Sequence, residues 1–132
     1  MSEIYKVEVI ETSKELSAKQ RIALRTGVNA ISLDQATQVE EVVINPDYYA
    51  ELAVHNEKSD DKDYTTFIIV DKSGQAYATG SRSFIDTFKA IFDEMNTYNS
   101  EHPDNKEEFS IVAFRMESKN YKGKSFITCR VN

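Results

Sequence analysis

The chain has 132 residues, of which 40% are hydrophobic and 29% charged, and its formal net charge is -6 at pH 7. This length predicts one domain, residues 1–132, and this composition excludes a chain that stays disordered. An acidic chain is a poor candidate for indiscriminate binding to duplex DNA or an anionic membrane. It is compatible with a local basic site, because charges are screened over about 8–10 Å.

The sequence shows no targeting or membrane signal. No apolar run approaches the roughly 20 residues that a membrane span requires, and the N-terminal segment lacks the basic and then apolar character of a signal peptide. The single cysteine, Cys129, excludes a disulfide framework and a thiolate metal cluster. We therefore expect a cytoplasmic protein without a membrane partner.

The N-terminal third predicts short strands around one ambiguous segment. Ile4–Glu11 alternates apolar and polar side chains, as a half-buried strand does. Lys14–Gly27 is basic and has no complete apolar stripe, so a short helix and a basic loop both stay open. Val28–Leu33 predicts a short strand. Asp34–Asn45 is acidic and ends at Pro46, which prevents a helix from continuing through that point.

The middle of the chain predicts two strands followed by a hairpin partner. Tyr48–Asn56 alternates, with Tyr48, Ala50, Leu52 and Val54 on one face. A polar loop, Glu57–Asp63, leads to Tyr64–Val70, which is rich in aromatic and β-branched residues. Asp71–Gly74 predicts a tight turn, and Gln75–Thr79 returns as the second strand of the hairpin.

One amphipathic helix is predicted over Ser83–Tyr98. Its apolar stripe has a period of 3.6 residues and consists of Phe84, Ile85, Phe88, Ile91, Phe92 and Met95. Ser83 and Asp86 resemble a capping box at the helix start. We expect the three phenylalanines to pack in the core.

The order of elements predicts a mainly β protein with one helix. After the polar connection Asn99–Glu108, the strands Phe109–Met116 and Ser125–Val131 close the chain. The strands and the single helix do not alternate along the chain, so this order excludes a parallel doubly wound sheet. We expect a five-stranded OB-fold barrel with the helix between its third and fourth strands. An α+β sandwich, with one helix across an antiparallel sheet, is the alternative.

Basic residues are concentrated at the C-terminal end. Phe109–Asn132 has five basic side chains against one acid, a balance of +4, whereas Asp34–Asp63 has nine acids against two lysines, a balance of -7. In the turn Lys119–Lys124, lysines can neutralise phosphates and the Tyr121 ring can stack on an unpaired base. A solvated hairpin turn is the alternative for the same residues.

Alternation along the last strand adds further candidates. If Ile127 and Cys129 face the core, Phe126 and Arg130 lie on the opposite surface beside the turn, where Arg115 of the preceding strand can join them. Tyrosines supply more stacking groups, and the basic N-terminal segment supplies more phosphate contacts. We predict nucleic-acid contacts at Lys119, Tyr121, Lys122, Lys124, Phe126, Arg130, Arg115, Tyr48, Tyr49, Tyr64, Arg21 and Arg25.

Catalytic, metal and cofactor signatures are missing from the sequence. The two histidines, His55 and His102, do not form a zinc motif, and the acidic loop near His55 lacks the spacing of an EF-hand. The four glycines do not form a phosphate-binding loop. We therefore expect a protein that is not an enzyme and that uses no metal or cofactor.

Two features of the sequence point to a known family: the strand–helix–strand order over Ile4–Val131, and the run SKNYKGKSFITC from Ser118 to Cys129. In these features the chain resembles the small OB-fold single-stranded DNA-binding proteins of bacteriophages and conjugative plasmids. The resemblance implies sequence-tolerant binding of single-stranded DNA in plasmid transfer or phage replication. Ligands in this fold lie across the second and third strands, between the loop after the first strand and the loop joining the last two. The latter loop corresponds to Lys119–Lys124.

Two further expectations concern partners. Segregation of positive and negative segments predicts head-to-tail self-association on the strand, and RNA is an alternative ligand. The rival hypothesis is an acidic protein-interaction module, or a DNA mimic that inhibits a nucleic-acid enzyme, built on Asp34–Asp63. The position of these acids relative to Lys119–Lys124 distinguishes the two hypotheses.

Overall fold

The protein is mainly β, as the sequence predicts. The computed structural model describes residues 5–26, 29–58, 62–120 and 123–132. The strands are β1 (Tyr5–Thr12), β2 (Ala30–Ser32), β3 (Val42–Ile44), β4 (Pro46–Asn56), β5 (Asp63–Asp71), β6 (Ala76–Thr79), β7 (Ile111–Glu117) and β8 (Ser125–Val131). The helices are α1 (Ala18–Thr26), α2 (Leu33–Ala36) and α3 (Arg82–Glu101).

The chain divides into two compact units. The first unit holds the described part of Met1–Ile31 together with Asp47–Gly80. The second unit holds Ser32–Pro46 and the described part of Ser81–Asn132. Each unit is therefore assembled from two separate stretches of sequence. The prediction of one domain over residues 1–132 stays a prediction.

The first unit is built on a five-stranded sheet in the order β1-β4-β5-β6-β2. β1 and β4 are antiparallel, with Val7 opposite Val54 and Val9 opposite Leu52. The face of β4 predicted from alternation is confirmed, because Tyr48, Ala50, Leu52 and Val54 all belong to one buried cluster. Leu16 and Leu24 also belong to this cluster, so α1 and the segment before it contribute to the same core.

The β5–β6 hairpin is confirmed as predicted. Phe67 opposes Thr79 and Val70 opposes Ala76 in an antiparallel pair. The turn closes through the Asp71 N–H, which donates to the Gln75 carbonyl at 2.8 Å. Gly74 has φ +94°, a left-handed conformation that a residue with a side chain adopts at a cost.

The second unit is a three-stranded sheet in the order β3-β7-β8 together with α3. The apolar stripe of α3 is buried at Phe84, Ile85, Phe88 and Phe92, as predicted. Ser81 caps the helix by accepting a hydrogen bond from the Phe84 N–H, so α3 starts before the predicted Ser83. The Ser83 hydroxyl instead donates to the Ile127 carbonyl at 2.8 Å, which fastens α3 to β8.

The strand arrangement differs from the predicted five-stranded barrel. Over the described residues the eight strands form two sheets, neither of which is closed, and three helices are present instead of one. α3 falls between the sixth and seventh strands, β6 and β7, in chain order. β2 falls within the predicted strand Val28–Leu33, and α1 shows that Lys14–Gly27 contains a short helix. The elements that were not predicted are α2 and β3, which have four and three residues and are too short to show a period in the sequence.

One stretch of chain contributes to both sheets. β3 pairs with β7, while β4 pairs with β1 in the other sheet, and only Asn45 separates β3 from β4. Separately, among the described residues, none of the helices has the length and apolar character needed to span a membrane.

Candidate nucleic-acid interface

The β7–β8 hairpin has one buried face and one face with aromatic and basic side chains. Directly opposed residues of an antiparallel pair point to the same side of the sheet. Ala113 opposes Cys129 and Arg115 opposes Ile127. Ile127 and Cys129 are buried, which confirms that they face the core. The other side, which we call the outer face, carries the buried Val112 together with Phe114, Met116, Phe126, Thr128 and Arg130.

The outer face has two exposed apolar side chains beside the turn. Phe126 and Met116 oppose each other and are 38% and 44% exposed. Phe114, further along β7, is half-buried. A base can stack on an exposed aromatic ring whatever its identity, because every base has a π-face. The polarisable sulfur of Met116 extends this apolar surface.

Arg130 lies at the opposite end of the outer face. Its guanidinium carbon is 5.3 Å from the centroid of the Phe114 ring, a cation–π distance. Its Nη2 is 3.5 Å from Oε2 of Glu41, and about half of each side chain is exposed. A surface ion pair of this length contributes little to stability. Arg130 therefore lies over an aromatic ring and stays accessible to solvent.

Two exposed lysines flank the turn between β7 and β8. Lys119 and Lys124 are both exposed. The Ser118 N–H donates to the Lys124 carbonyl at 2.9 Å and closes the turn, and Gly123 has φ +81°. The predicted contacts Tyr121 and Lys122 lie outside the described residues, so they stay predictions.

Arg115 does not join the outer face. Its register with Ile127 directs it to the opposite side of the sheet. Its Nη2 donates to the Asp34 carbonyl at 2.6 Å and its Nη1 to Ser125 Oγ at 3.0 Å, while its buried Nε has no partner among the described residues. The predicted position of Arg115 on the outer face beside Phe126 is wrong, because this guanidinium lies on the core side and ties α2 to β7 and β8.

Tyr48 and Tyr49 are also corrected as stacking residues, because both are buried. Burial raises the pKa of Tyr48, and the Lys14 Nζ lies 5.1 Å from its ring centroid. The Tyr49 hydroxyl donates to Glu11 Oε1 at 3.2 Å, and its ring packs 5.1 Å from the Phe67 ring. Neither ring has a free face for a base.

Tyr64 is the one of these three tyrosines that is accessible. It is 41% exposed and lines a groove of about 420 Å³ on β1, β4 and β5. The groove is lined by Lys6, Glu8, Ala53, Val54, His55, Asp63, Tyr64 and Thr65. Tyr64 belongs to the first unit and Phe126 to the second.

The predicted basic contacts on α1 are both at the surface. Arg21 and Arg25 are exposed. Arg25 Nε donates to the Val7 carbonyl at 3.1 Å, which fixes the side chain along β1 and holds α1 against that strand. The role of these two residues as phosphate contacts stays a prediction.

His55 lies between two carboxylates at the end of the groove. Its Nδ1 is 2.7 Å from Asp63 Oδ1, and its Nε2 is 2.7 Å from Glu57 Oε1. These hydrogen bonds, to Asp63 first and then to Glu57, raise the pKa of His55. The hydrogen bond from His55 in turn lowers the pKa of Glu57.

The acids of Asp34–Asp63 bear on the rival hypothesis. In the second unit, Glu41 lies beside Arg130. Phe126 precedes Arg130 by four residues on β8, which is about 13 Å along an extended strand. In the first unit, Asp47 pairs with Lys14 at 3.1 Å. Glu41 therefore lies at the Arg130 end of β8, whereas Asp34 is joined through Arg115 to Ser125, the neighbour of Lys124.

Cys129 and the possible metal-ligating side chains are the remaining chemical candidates among the described residues. Burial raises the pKa of the Cys129 thiol to about 12, so it is not a nucleophile near neutral pH. No group of three or more described His, Cys, Asp or Glu side chains has a geometry that would hold a metal ion. Sequence reasoning missed Met116 and the stacking of Arg130 on Phe114, since both depend on the register between β7 and β8.

Comparisons of this chain with protein-family models, with curated proteins and with solved structures found no match.

Proposed function

We propose that this protein is a non-enzymatic, sequence-tolerant binder of single-stranded DNA. The observation that carries the proposal is the exposed Phe126 on the outer face, which follows exposed Lys124 by two residues and shares its hairpin with exposed Lys119, in a chain that is acidic as a whole. The ring stacks on an unpaired base, and the lysines neutralise the neighbouring phosphates. Arg130 provides a further phosphate or base contact at the far end of the face.

We also propose that the strands are an opened and extended relative of the OB-fold. If β3 and β4 are counted as one strand interrupted at Asn45, the chain from Val42 onward runs through three strands, α3 and two further strands. This is the order of the OB-fold, in which the helix lies between the third and fourth strands. On this count, β1 and β2 are additions, and the β7–β8 turn is the loop between the last two strands.

The biological setting is part of the proposal. The resemblance to phage and plasmid proteins favours plasmid transfer or phage replication. Self-association on the strand would lengthen the small footprint of one subunit, and RNA is the alternative ligand. A protein-interaction role finds its best support in Val39, which is 85% exposed and adjoins Glu40 and Glu41.

Single lysine variants test the electrostatic half of the proposal. We expect Lys119→Ala and Lys124→Ala each to reduce the magnitude of the slope of log K against log salt by about 0.7, the value for one phosphate contact on a single strand. The measurement is fluorescence anisotropy with a labelled oligothymidine at several salt concentrations. Lys106→Ala removes an exposed lysine from the α3–β7 connection and serves as the matched control.

The outcome separates the two functions. An unchanged slope in both turn variants would mean that these lysines do not contact phosphate. An equal decrease of the slope in Lys106→Ala would show that the net charge of the protein, and not the position of the lysines, sets the salt dependence. A wild-type protein that does not bind any single strand but is captured by a basic peptide would favour the protein-interaction role.

A further inference from the structure

The connection between β4 and β5 is closed by a histidine with a carboxylate on each ring nitrogen. His55 is the next-to-last residue of β4, Asp63 is the first residue of β5, and Glu57 follows β4 directly. Both nitrogen–oxygen distances are 2.7 Å. The backbone also closes here, because the Asn56 N–H donates to the Lys62 carbonyl at 2.7 Å.

The number of protons on the ring follows from these two contacts. An ionised carboxylate only accepts hydrogen bonds, and a neutral imidazole has one N–H and one bare lone pair. With a neutral ring, one of the two short contacts would bring a lone pair against a carboxylate oxygen. Only the imidazolium donates to both sides.

We propose that the β4–β5 connection is fastened by a proton-dependent clasp, in which the His55 imidazolium holds Glu57 and Asp63 together and releases one of them on deprotonation. The inference goes beyond the proposed DNA binding and does not depend on it. His55 and Asp63 both line the groove that contains Tyr64, so release changes one wall of that groove.

The charged groups around the clasp are nearly balanced while the ring carries its proton. On β1, Lys6 lies opposite His55 in the register and pairs with Glu8 at 2.9 Å. On the connection itself, Lys62 Nζ is 3.4 Å from Glu57 Oε2. Among the described residues that pair with one another here, two lysines and the imidazolium therefore face Glu8, Glu57 and Asp63. Loss of the proton removes one positive charge from this described set.

The structure also indicates which contact opens. The Asp63 side chain is 82% exposed, whereas that of Glu57 is 41% exposed and keeps Lys62 as a second partner. Asp63 is thus the carboxylate that water solvates more readily after release. We expect the neutral ring to keep its proton on Nε2, toward Glu57, and to leave Nδ1 bare.

The clasp gives stability a defined dependence on pH. Because folding raises the pKa of His55 above its ordinary 6.5, its contribution is full below pH 6.5 and is lost as the pH rises through the folded value. Because folding lowers the pKa of Glu57 below its ordinary 4.5, its contribution is full above pH 4.5 and is lost as the pH falls through the folded value. Both contributions to stability are therefore fully present between pH 4.5 and pH 6.5.

Nuclear magnetic resonance of the full-length ¹⁵N-labelled chain tests the clasp directly. We expect both His55 ring nitrogens to be protonated at pH 6, with a titration midpoint above 6.5 and an Nε2–H tautomer above it. Asp63→Asn and Glu57→Gln should each lower the midpoint, and the double variant should lower it furthest. His102 is the only other histidine in the sequence and provides the reference signal.

Amide hydrogen exchange supplies the structural readout. Exchange at the Asn56 N–H should accelerate as pH rises through the His55 midpoint by more than base catalysis alone produces. The Asp71 N–H, which closes the β5–β6 turn on the Gln75 carbonyl, is the matched control. A midpoint at or below 6.5, a midpoint insensitive to both carboxylate variants, or equal acceleration at Asn56 and Asp71 would each overturn the proposal.

Discussion

Replacement of Phe126 by alanine is expected to weaken binding of single-stranded DNA by about 1–3 kcal/mol, or about 5- to 150-fold. The ring is 38% exposed on the outer face and opposes Met116, so truncation removes a stacking surface without opening the buried core. The slope of log K against log salt should stay nearly unchanged, because no phosphate contact is lost. Anisotropy titrations at several salt concentrations measure both quantities.

Two further variants distinguish stacking from general destabilisation. Phe126→Tyr keeps an aromatic ring at the same place and should retain most of the affinity. Tyr98→Ala removes a ring that stacks on His102 at the end of α3, 4.2 Å between centroids, and should leave DNA binding unchanged. Full affinity in Phe126→Ala with a normally folded protein would exclude the outer face as the stacking site.

Replacement of Phe88 by alanine is expected to lower the free energy of unfolding by about 3–5 kcal/mol. Phe88 is fully buried in the middle of α3, with its ring 6.0 Å from that of Phe84 and 5.6 Å from that of Phe92. Alanine would leave a cavity between these rings and forfeit their contacts. Denaturant unfolding followed by circular dichroism provides the measurement.

Phe88→Leu fills more of the same volume and should cost clearly less than Phe88→Ala. The exposed variant Phe126→Ala offers a second comparison, since its ring is not enclosed by the core. If Phe88→Ala costs no more than Phe126→Ala, the aromatic row of α3 does not form the core of the second unit.

The longer helices and strands could be predicted from the sequence because they contain enough residues to show a repeating apolar pattern. The stripe of α3 and the alternation of β4 each extend over several residues, and both predicted faces are buried. β3 escaped detection because three residues cannot show alternation, although the β-branched run Val42–Ile44 carried a signal. Its pairing with β7 is a contact between distant segments, which a single sequence does not encode locally.

In the candidate site too, features set within one strand could be predicted, and features set by pairing between strands could not. Alternation within β8 placed Phe126 opposite the buried Ile127, and the structure agrees. Arg115 was assigned to the wrong side because its direction depends on the register between β7 and β8. Tyr48 and Tyr49 are consecutive, so they point to opposite faces of β4, and both are buried because the strand is covered on both sides at these two positions.

The surroundings of His55 could not be predicted from the sequence. Its neighbours Glu57 and Asp63 were visible in the sequence as members of an acidic loop, but nothing in their spacing fixed both carboxylates on one ring. The hairpin closed by Asn56 and Lys62 brings them together. Chemistry that depends on two simultaneous contacts of this kind emerges only from the three-dimensional arrangement.

Titration of the wild-type protein against a labelled oligothymidine, with the matching duplex as competitor, tests single-strand binding most directly. Three to five phosphate contacts predict a slope of log K against log salt of about -2 to -4, and the duplex should bind more weakly because paired bases expose no faces. Equal or tighter binding to the duplex, or no binding to the single strand at low salt, would contradict the proposed function.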